Sequence, residues 1–193
     1  MKNTVTTIDT KEQIINVAER LFAEKGFAGT SLRNVIREAG VNIAAVHYHF
    51  GSKEELFIAV VRRVAQQIVT SQVEELSKYE NLEEPPSLEN ILEEIYGHPL
   101  RIITLMGEAG VVRAQFMGRC RAEPFPIQQL SDKEFHESQR RFLDILQRAL
   151  PDQTRTELTW KLDLAVAIIV RTAYQLGQAD KVITGISSDE IEI

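Results

Sequence analysis

A single cysteine, Cys120, stands in the 193 residues, so no internal disulfide framework can form and no cysteine-rich metal cluster can be assembled. A membrane span needs about 20 consecutive apolar residues. The longest uncharged apolar run near the C-terminus, Leu164-Ala165-Val166-Ala167-Ile168-Ile169-Val170, falls far short of that. The opening Met1-Lys2-Asn3-Thr4-Val5-Thr6-Thr7 has no apolar core for a secretion signal. With the lone thiol, this leads us to expect a cytoplasmic location with no membrane partner. Gly-x-Gly-x-x-Gly, Gly-x-Ser-x-Gly and a phosphate-binding glycine loop are all missing, which argues against an enzyme and against a cofactor. Strand-like alternation, low-complexity tracts and internal repeats are missing too.

Excess positive charge is also absent: the formal net charge is −6. Residues 1–55 carry seven Lys/Arg and seven Asp/Glu, whereas residues 56–193 carry fifteen against twenty-one, so the acidity belongs wholly to the second part. That excludes indiscriminate electrostatic binding to nucleic acid but leaves a local groove-facing surface open.

What is present is helical period with caps, so the expected fold is all-α, with nine or so helices. Asp9 or Thr10 opens a first helix, buried along Ile14, Ala18, Leu21 and Phe22 and ended by Gly26. Thr30 or Ser31 caps a second, whose face is Leu32, Val35, Ile36 and Ala39. Gly40 supplies a left-handed stop, Val41 fills the corner, and Asn42 caps Ile43-Ala44-Ala45-Val46-His47-Tyr48-His49-Phe50. After Gly51, Ser52 and Glu55 form a reciprocal capping box for a long helix marked by Leu56, Phe57, Val60, Val61, Val64 and Ile68. Two short helices around a glycine turn are the layout of a helix-turn-helix, in which one helix props another into the major groove. Small Ala44 and Ala45 permit close approach, and Asn42, His47, Tyr48 and His49 can donate to phosphates or base edges. Lys53 is a cation in a helix's first turn, disfavoured by the helix dipole, which a phosphate partner would explain. Caps and packing are the alternative roles of His47 and His49. They do not suggest a metal site, because residues two apart on a helix point in different directions.

These residues resemble the TetR family of bacterial one-component regulators. Thr30, Ala39-Gly40-Val41, Tyr48-His49-Phe50 and Ser52-Lys53-Glu54-Glu55-Leu56 match its signature in order and spacing. The chain departs at His47, where the family usually has a phosphate-binding Tyr. The resemblance implies an N-terminal three-helix DNA-binding domain (1–55, linking helix about 52–77) and a larger helical ligand-binding and dimerisation domain (56–193). It implies a homodimeric repressor on an inverted-repeat operator in double-stranded DNA, with an activator as the alternative. The expected DNA-contacting set is Thr30, Ser31, Arg33, Asn42, Ile43, Ala44, Ala45, His47, Tyr48, His49 and Lys53. A helical protein-interaction module without a DNA role remains a distant alternative, which leaves the chemistry from Asn42 to Lys53 unexplained.

Further along, Lys78 to Pro86 reads as a polar loop, Ser87 as a helix start, and His98-Pro99 as a break before one or two helices over 100–122. Ser131-Asp132-Lys133-Glu134 reads as a capping box opening the next helix, which Pro151 ends. A last helix runs from about Thr154 to Gln178 and carries Trp160 and Tyr174. The last two helices are too apolar for one buried stripe each, which suits a four-helix dimer interface through Phe142, Ile145, Leu146, Leu164, Ile168 and Arg171. Arg113, Phe116, Met117 and Cys120 share one helix face, either lining a pocket for an elongated apolar ligand with an anionic head or serving as core. Cys120, between Arg119 and Arg121, is either a redox-sensitive thiol or buried and inert. Met117-Gly118-Arg119-Cys120-Arg121-Ala122-Glu123-Pro124, Arg141-Phe142-Leu143, Ala149-Leu150-Pro151 and Leu158-Thr159-Trp160-Lys161-Leu162 resemble the PsrA-like branch of the family. That resemblance implies a fatty acid or acyl-CoA as inducer, a hydrophobic drug-like compound being the other reading.

Overall fold

The computed structural model describes residues 9–185, apart from the side chains of residues 68, 69, 71–73, 75, 98, 173, 174 and 176–185. The N-terminal segment 1–7 and the side chains of Ile68 and Tyr174 therefore lie outside the described residues. Within them the chain is helical and contains no strand. The helices are α1 (Thr10–Gly29), α2 (Leu32–Ala39), α3 (Ile43–Phe50), α4 (Lys53–Glu80) and α5 (Leu88–Leu92). A π-helical turn, Glu93–Gly97, leads into α6 (His98–Leu105), followed by α7 (Glu108–Ala122), α8 (Ile127–Ala149) and α9 (Arg155–Gly185).

Most boundaries follow from local chemistry. The side chains of Asp9, Ser31, Asn42, Ser52 and Ser87 each accept a backbone N–H from the first turn of the helix they precede. At Ser52 the box is only half formed: Glu55 N–H donates to Ser52 Oγ at 3.1 Å, while Ser52 N–H turns back to Phe50 O at 2.7 Å. Gly26 interrupts α1 at φ 69°, as expected, although one further turn follows before the chain leaves the helix. The α8 start differs from expectation. Ser131 lies inside the helix, its Oγ donating to Gln128 O at 2.7 Å, and the helix begins at Ile127 after Pro124 and Pro126. A Ser-x-x-Glu pattern marks a start only where the preceding turn is not already helical. The reciprocal box instead sits at Thr154 and Glu157, opening α9: Thr154 N–H donates to Glu157 Oε2 at 2.8 Å and Glu157 N–H to Thr154 Oγ1 at 3.3 Å.

Two apolar cores hold these helices. The first joins α1, α2, α3 and the start of α4 to α7, through Phe22, Phe27, Phe57 and Phe116. Phe57 meets the others edge to face, with centroids 5.2 Å apart for Phe22–Phe57 and 5.8 Å for Phe57–Phe116, while Phe22 and Phe27 stack at 6.1 Å. Each fully buried ring of this size contributes about 2–3 kcal/mol. This core takes residues from both sides of position 56. The second core gathers Leu76, Ile91, Ile95, Phe142, Ile145, Leu146, Leu158 and Leu162 from α4, α5, the π turn, α8 and α9. Phe142, Ile145 and Leu146 are therefore buried within the protomer, a correction to their expected place in a dimer interface: their face of α8 packs on α4 and α9 of the same chain. Leu164 and Ile168 remain 55% exposed and Arg171 is exposed.

Candidate nucleic-acid interface

The α2–α3 pair is fixed from inside by Val35, Ala39, Val46 and Phe50, all buried against α1 and α4. Gly40 adopts φ 64°, which a side chain would resist, and Val41 N–H bonds back to Ile36 O at 3.3 Å, closing the end of α2. Asn42 Oδ1 then accepts Ala45 N–H at 2.7 Å and fixes the start of α3. Its amide group is left to face outward. With one face of α3 anchored, the other carries Asn42, Ile43, Ala44, His47 and Tyr48 into solvent. Ile43 is 59% exposed and Tyr48 85% exposed, a large apolar area with no cover from the other described residues. Ala45 and His49 are half-buried.

His47 has a defined orientation. Its Nδ1 lies 3.0 Å from Gly51 O and, facing a carbonyl, must carry a proton and donate. Nε2 is then the free edge. It accepts when the ring is neutral and donates only when the ring is charged. Ser31 caps α2, and Arg33 and Arg37 are exposed without an ion pair among the described residues. Two expected phosphate ligands are used internally instead. Thr30 is buried, and its hydroxyl lies 2.8 Å from Gly26 O and 3.1 Å from Leu21 O, within reach of donating to these backbone carbonyls of α1. Lys53 Nζ donates to Phe27 O and Thr30 O, each at 3.0 Å, and sits 4.1 Å from the Phe27 ring centroid. Its charge ends α1 and ties that end to α4, which also explains a cation in the first turn of α4.

Farther from the reader, α4, α6, α7, α8, α9 and the π turn line a half-open cavity of about 1080 Å³. Arg113 and Met117 line it, but Phe116 and Cys120 do not: both are buried in the first core, on the side of α7 that faces α1. Burial pushes the Cys120 thiol far above its ordinary value, Glu123 adding to the effect, so it is protonated and inert. Apolar walls come from Ile102, Ile103, Phe135, Phe142 and Ile169. Asp132, whose carboxyl burial holds above its ordinary range, lies with Arg121, Lys133 and Asp163 on the same lining. Among the described residues there is no acidic, histidine or cysteine cluster able to hold a metal ion, and no helix long and apolar enough to cross a membrane.

An all-α chain with a capped helix-turn-helix on one core and a second helical core behind it belongs, by architecture, with the helix-turn-helix DNA readers. Residues 14–60 match the family described as bacterial regulatory proteins of the tetR family, and residues 89–193 match the tetracyclin repressor-like C-terminal domain. The chain belongs to the TetR family, whose members are DNA-binding transcriptional regulators and not enzymes. It is 37% identical over 67 residues to the HTH-type nicotine-responsive transcriptional repressor HdnoR of Paenarthrobacter nicotinovorans, covering 35% of this chain and 34% of that one. The chain thus spans about a third of the length of the curated relatives it matches. Among solved structures, the fold is similar to that of a protein from Shewanella sp. PV-4 assigned to the tetR family (TM-score 0.64, 18% identity, 90% of each chain covered). It is also similar to HlyIIR, a hemolysin II transcriptional regulator (TM-score 0.60, 18% identity, covering 93% of this chain and 97% of that one).

Proposed function

We propose that the protein is a cytoplasmic homodimeric repressor that binds an inverted-repeat operator through α3 and releases it when a small molecule enters the cavity. The observation that carries this reading is the uncovered face of α3, with Ile43 and Tyr48 held in solvent by a helix whose opposite face is anchored. An exposed apolar patch on an anchored helix marks a surface that another molecule covers. Asn42, Ile43, Ala44, Ala45 and His47 lie nearest the bases on this reading, and Ser31, Arg33, Tyr48 and His49 hold phosphates. Two readers per dimer supply the second half-site that one short helix needs for useful affinity. The pairing surface is α9, where Trp160 (69% exposed), Leu164 and Ile168 repeat every four residues and Arg171 continues the face.

The ligand is an elongated apolar molecule with an anionic head, of the fatty acid or acyl-CoA kind. The apolar cavity walls and the guanidinium of Arg113 favour this over a neutral drug-like compound. Tyr48→Phe and Arg33→Ala test the DNA map by fluorescence anisotropy on a duplex obtained by selection. Each should weaken binding to all sequences alike, Arg33→Ala also lowering the salt slope by about one. Unchanged affinity in both variants would overturn the map.

A further inference from the structure

Glu19, on α1, is the only charged residue fully withdrawn from solvent among the described residues, at 4% exposed. Its two carboxylate oxygens are held by arginines from different helices. Arg63 of α4 donates from Nη2 to Oε2, and Arg113 of α7 donates from Nε to Oε1 at 3.2 Å. Arg63 also reaches Glu12 at 3.2 Å and Asn16, both on α1, while its own Nε is buried without a hydrogen-bond partner. Arg113 faces two ways. On one side is Glu19; on the other its Nη1 donates to Gln67 and lies 3.4 Å from Met106 Sδ, and all three residues line the cavity.

A buried guanidinium must keep an anionic or acceptor partner, since an unpaired charge at such a site is strongly unfavourable. The cavity offers Arg113 a second place to find one. The exchange leaves no charge stranded on the other side either, because the idle Nε of Arg63 can complete a two-bond pairing with Glu19. We propose that Arg113 is an exchangeable clamp: an anionic head group in the cavity takes its guanidinium from Glu19, and the loss of that bond loosens α1 from α7. The consequence reaches the reader because α2 and α3 dock on α1, and α1 lies along α7. Beside the aromatic core that α1 and α7 share, the remaining hydrogen bonds between them lie at the other end of the seam. Arg119 donates to Ala23 O and Glu24 O at 3.3 and 3.2 Å, and Glu123 Oε1 accepts Phe27 N–H at 2.7 Å. Releasing the Glu19 end therefore lets α1 pivot about the Glu123 end, which displaces α3. This mechanism rests on the reading of the cavity as the effector site and assigns how that site is coupled to DNA.

The test compares sodium decanoate with 1-decanol, which share a tail and differ in the head, by isothermal titration calorimetry on the full chain. The parent protein should bind decanoate at least tenfold tighter than decanol. Glu19→Gln, which removes the competing carboxylate, should tighten decanoate several-fold and leave decanol unchanged. Arg113→Gln should erase the preference for decanoate. In anisotropy with a selected duplex, decanoate should weaken DNA binding by the parent and leave Arg113→Gln indifferent. Equal binding of the two probes by the parent, or binding of neither, overturns the clamp without recourse to any variant. So does a folded Glu19→Gln protein with no gain for decanoate. If the parent binds no duplex at all, the regulator reading fails, while an Arg113-dependent preference for decanoate in calorimetry still supports the exchange.

Discussion

Lys53→Met removes the ammonium and keeps a stem of similar length. Two hydrogen bonds to the carbonyls of Phe27 and Thr30 are lost, each at 3.0 Å, together with the cation over the Phe27 ring. Hydrogen bonds to a charged donor contribute about 1.5 kcal/mol each at the low end, fitting for a half-buried site, and a cation–π contact of this exposure adds about 0.5–1 kcal/mol. Relief of the unfavourable charge in the first turn of α4 gives back roughly 0.5 kcal/mol. The net loss is about 3–3.5 kcal/mol. For a chain of this size that lowers Tm by roughly 6–14 °C, which differential scanning fluorimetry resolves easily. If Lys53 were instead a phosphate ligand, Tm would hold and the salt slope of DNA binding would fall by about one. An unchanged Tm with a reduced slope would refute the assignment of Lys53 as an internal cap.

Three further outcomes are expected. Cys120, protonated and buried, should resist iodoacetamide at pH 8 in the folded protein and react at once in denaturant; rapid labelling of the folded chain would contradict its placement in the first core. Glu80 is held below its ordinary value of 4.5, chiefly by hydrogen bonds from Arg141, so it stabilises the α4–α8 contact above that value and loses the effect as pH falls through its lower folded value. Glu80→Gln should therefore cost stability at pH 7, by about 1 kcal/mol or less for so exposed a pair, and nothing at the acid end; a cost independent of pH would show that the charge is irrelevant. Leu164→Arg with Ile168→Arg should yield a folded monomer by light scattering, whereas Ile145→Ala should lower stability by about 3 kcal/mol and leave the dimer intact; the reverse pattern would move the interface to α8.

The helix-turn-helix was legible because its signals are local. Ser31, Gly40, Asn42 and Ser52 each decide a boundary within four residues of themselves, and the structure puts all four at the ends expected. What failed depended on distant neighbours. Thr30 and Lys53 look like free polar groups until the kink at Gly26 brings backbone carbonyls beside them. Phe116 and Cys120 share a face with Arg113 on paper, but α1 covers part of that face and the cavity the rest. Glu19 was overlooked altogether. One signal was available: it follows Ile15 by four residues and precedes Phe22 by three, a carboxylate in register with a buried stripe. Its partner Arg113, 94 residues away, could not be paired with it from one sequence.

Asn42→Ser tests the central claim most directly, because serine keeps the cap on α3 while removing only the outward amide. The parent and the variant are each taken through selection from a random duplex pool, and the enriched sequences are compared. The parent is expected to enrich an inverted repeat, and the variant a repeat altered at the same position in both halves, with thermal stability unchanged. Identical enriched sequences for the two proteins, or no enrichment by the parent, would contradict the assignment of α3 as the helix that reads DNA.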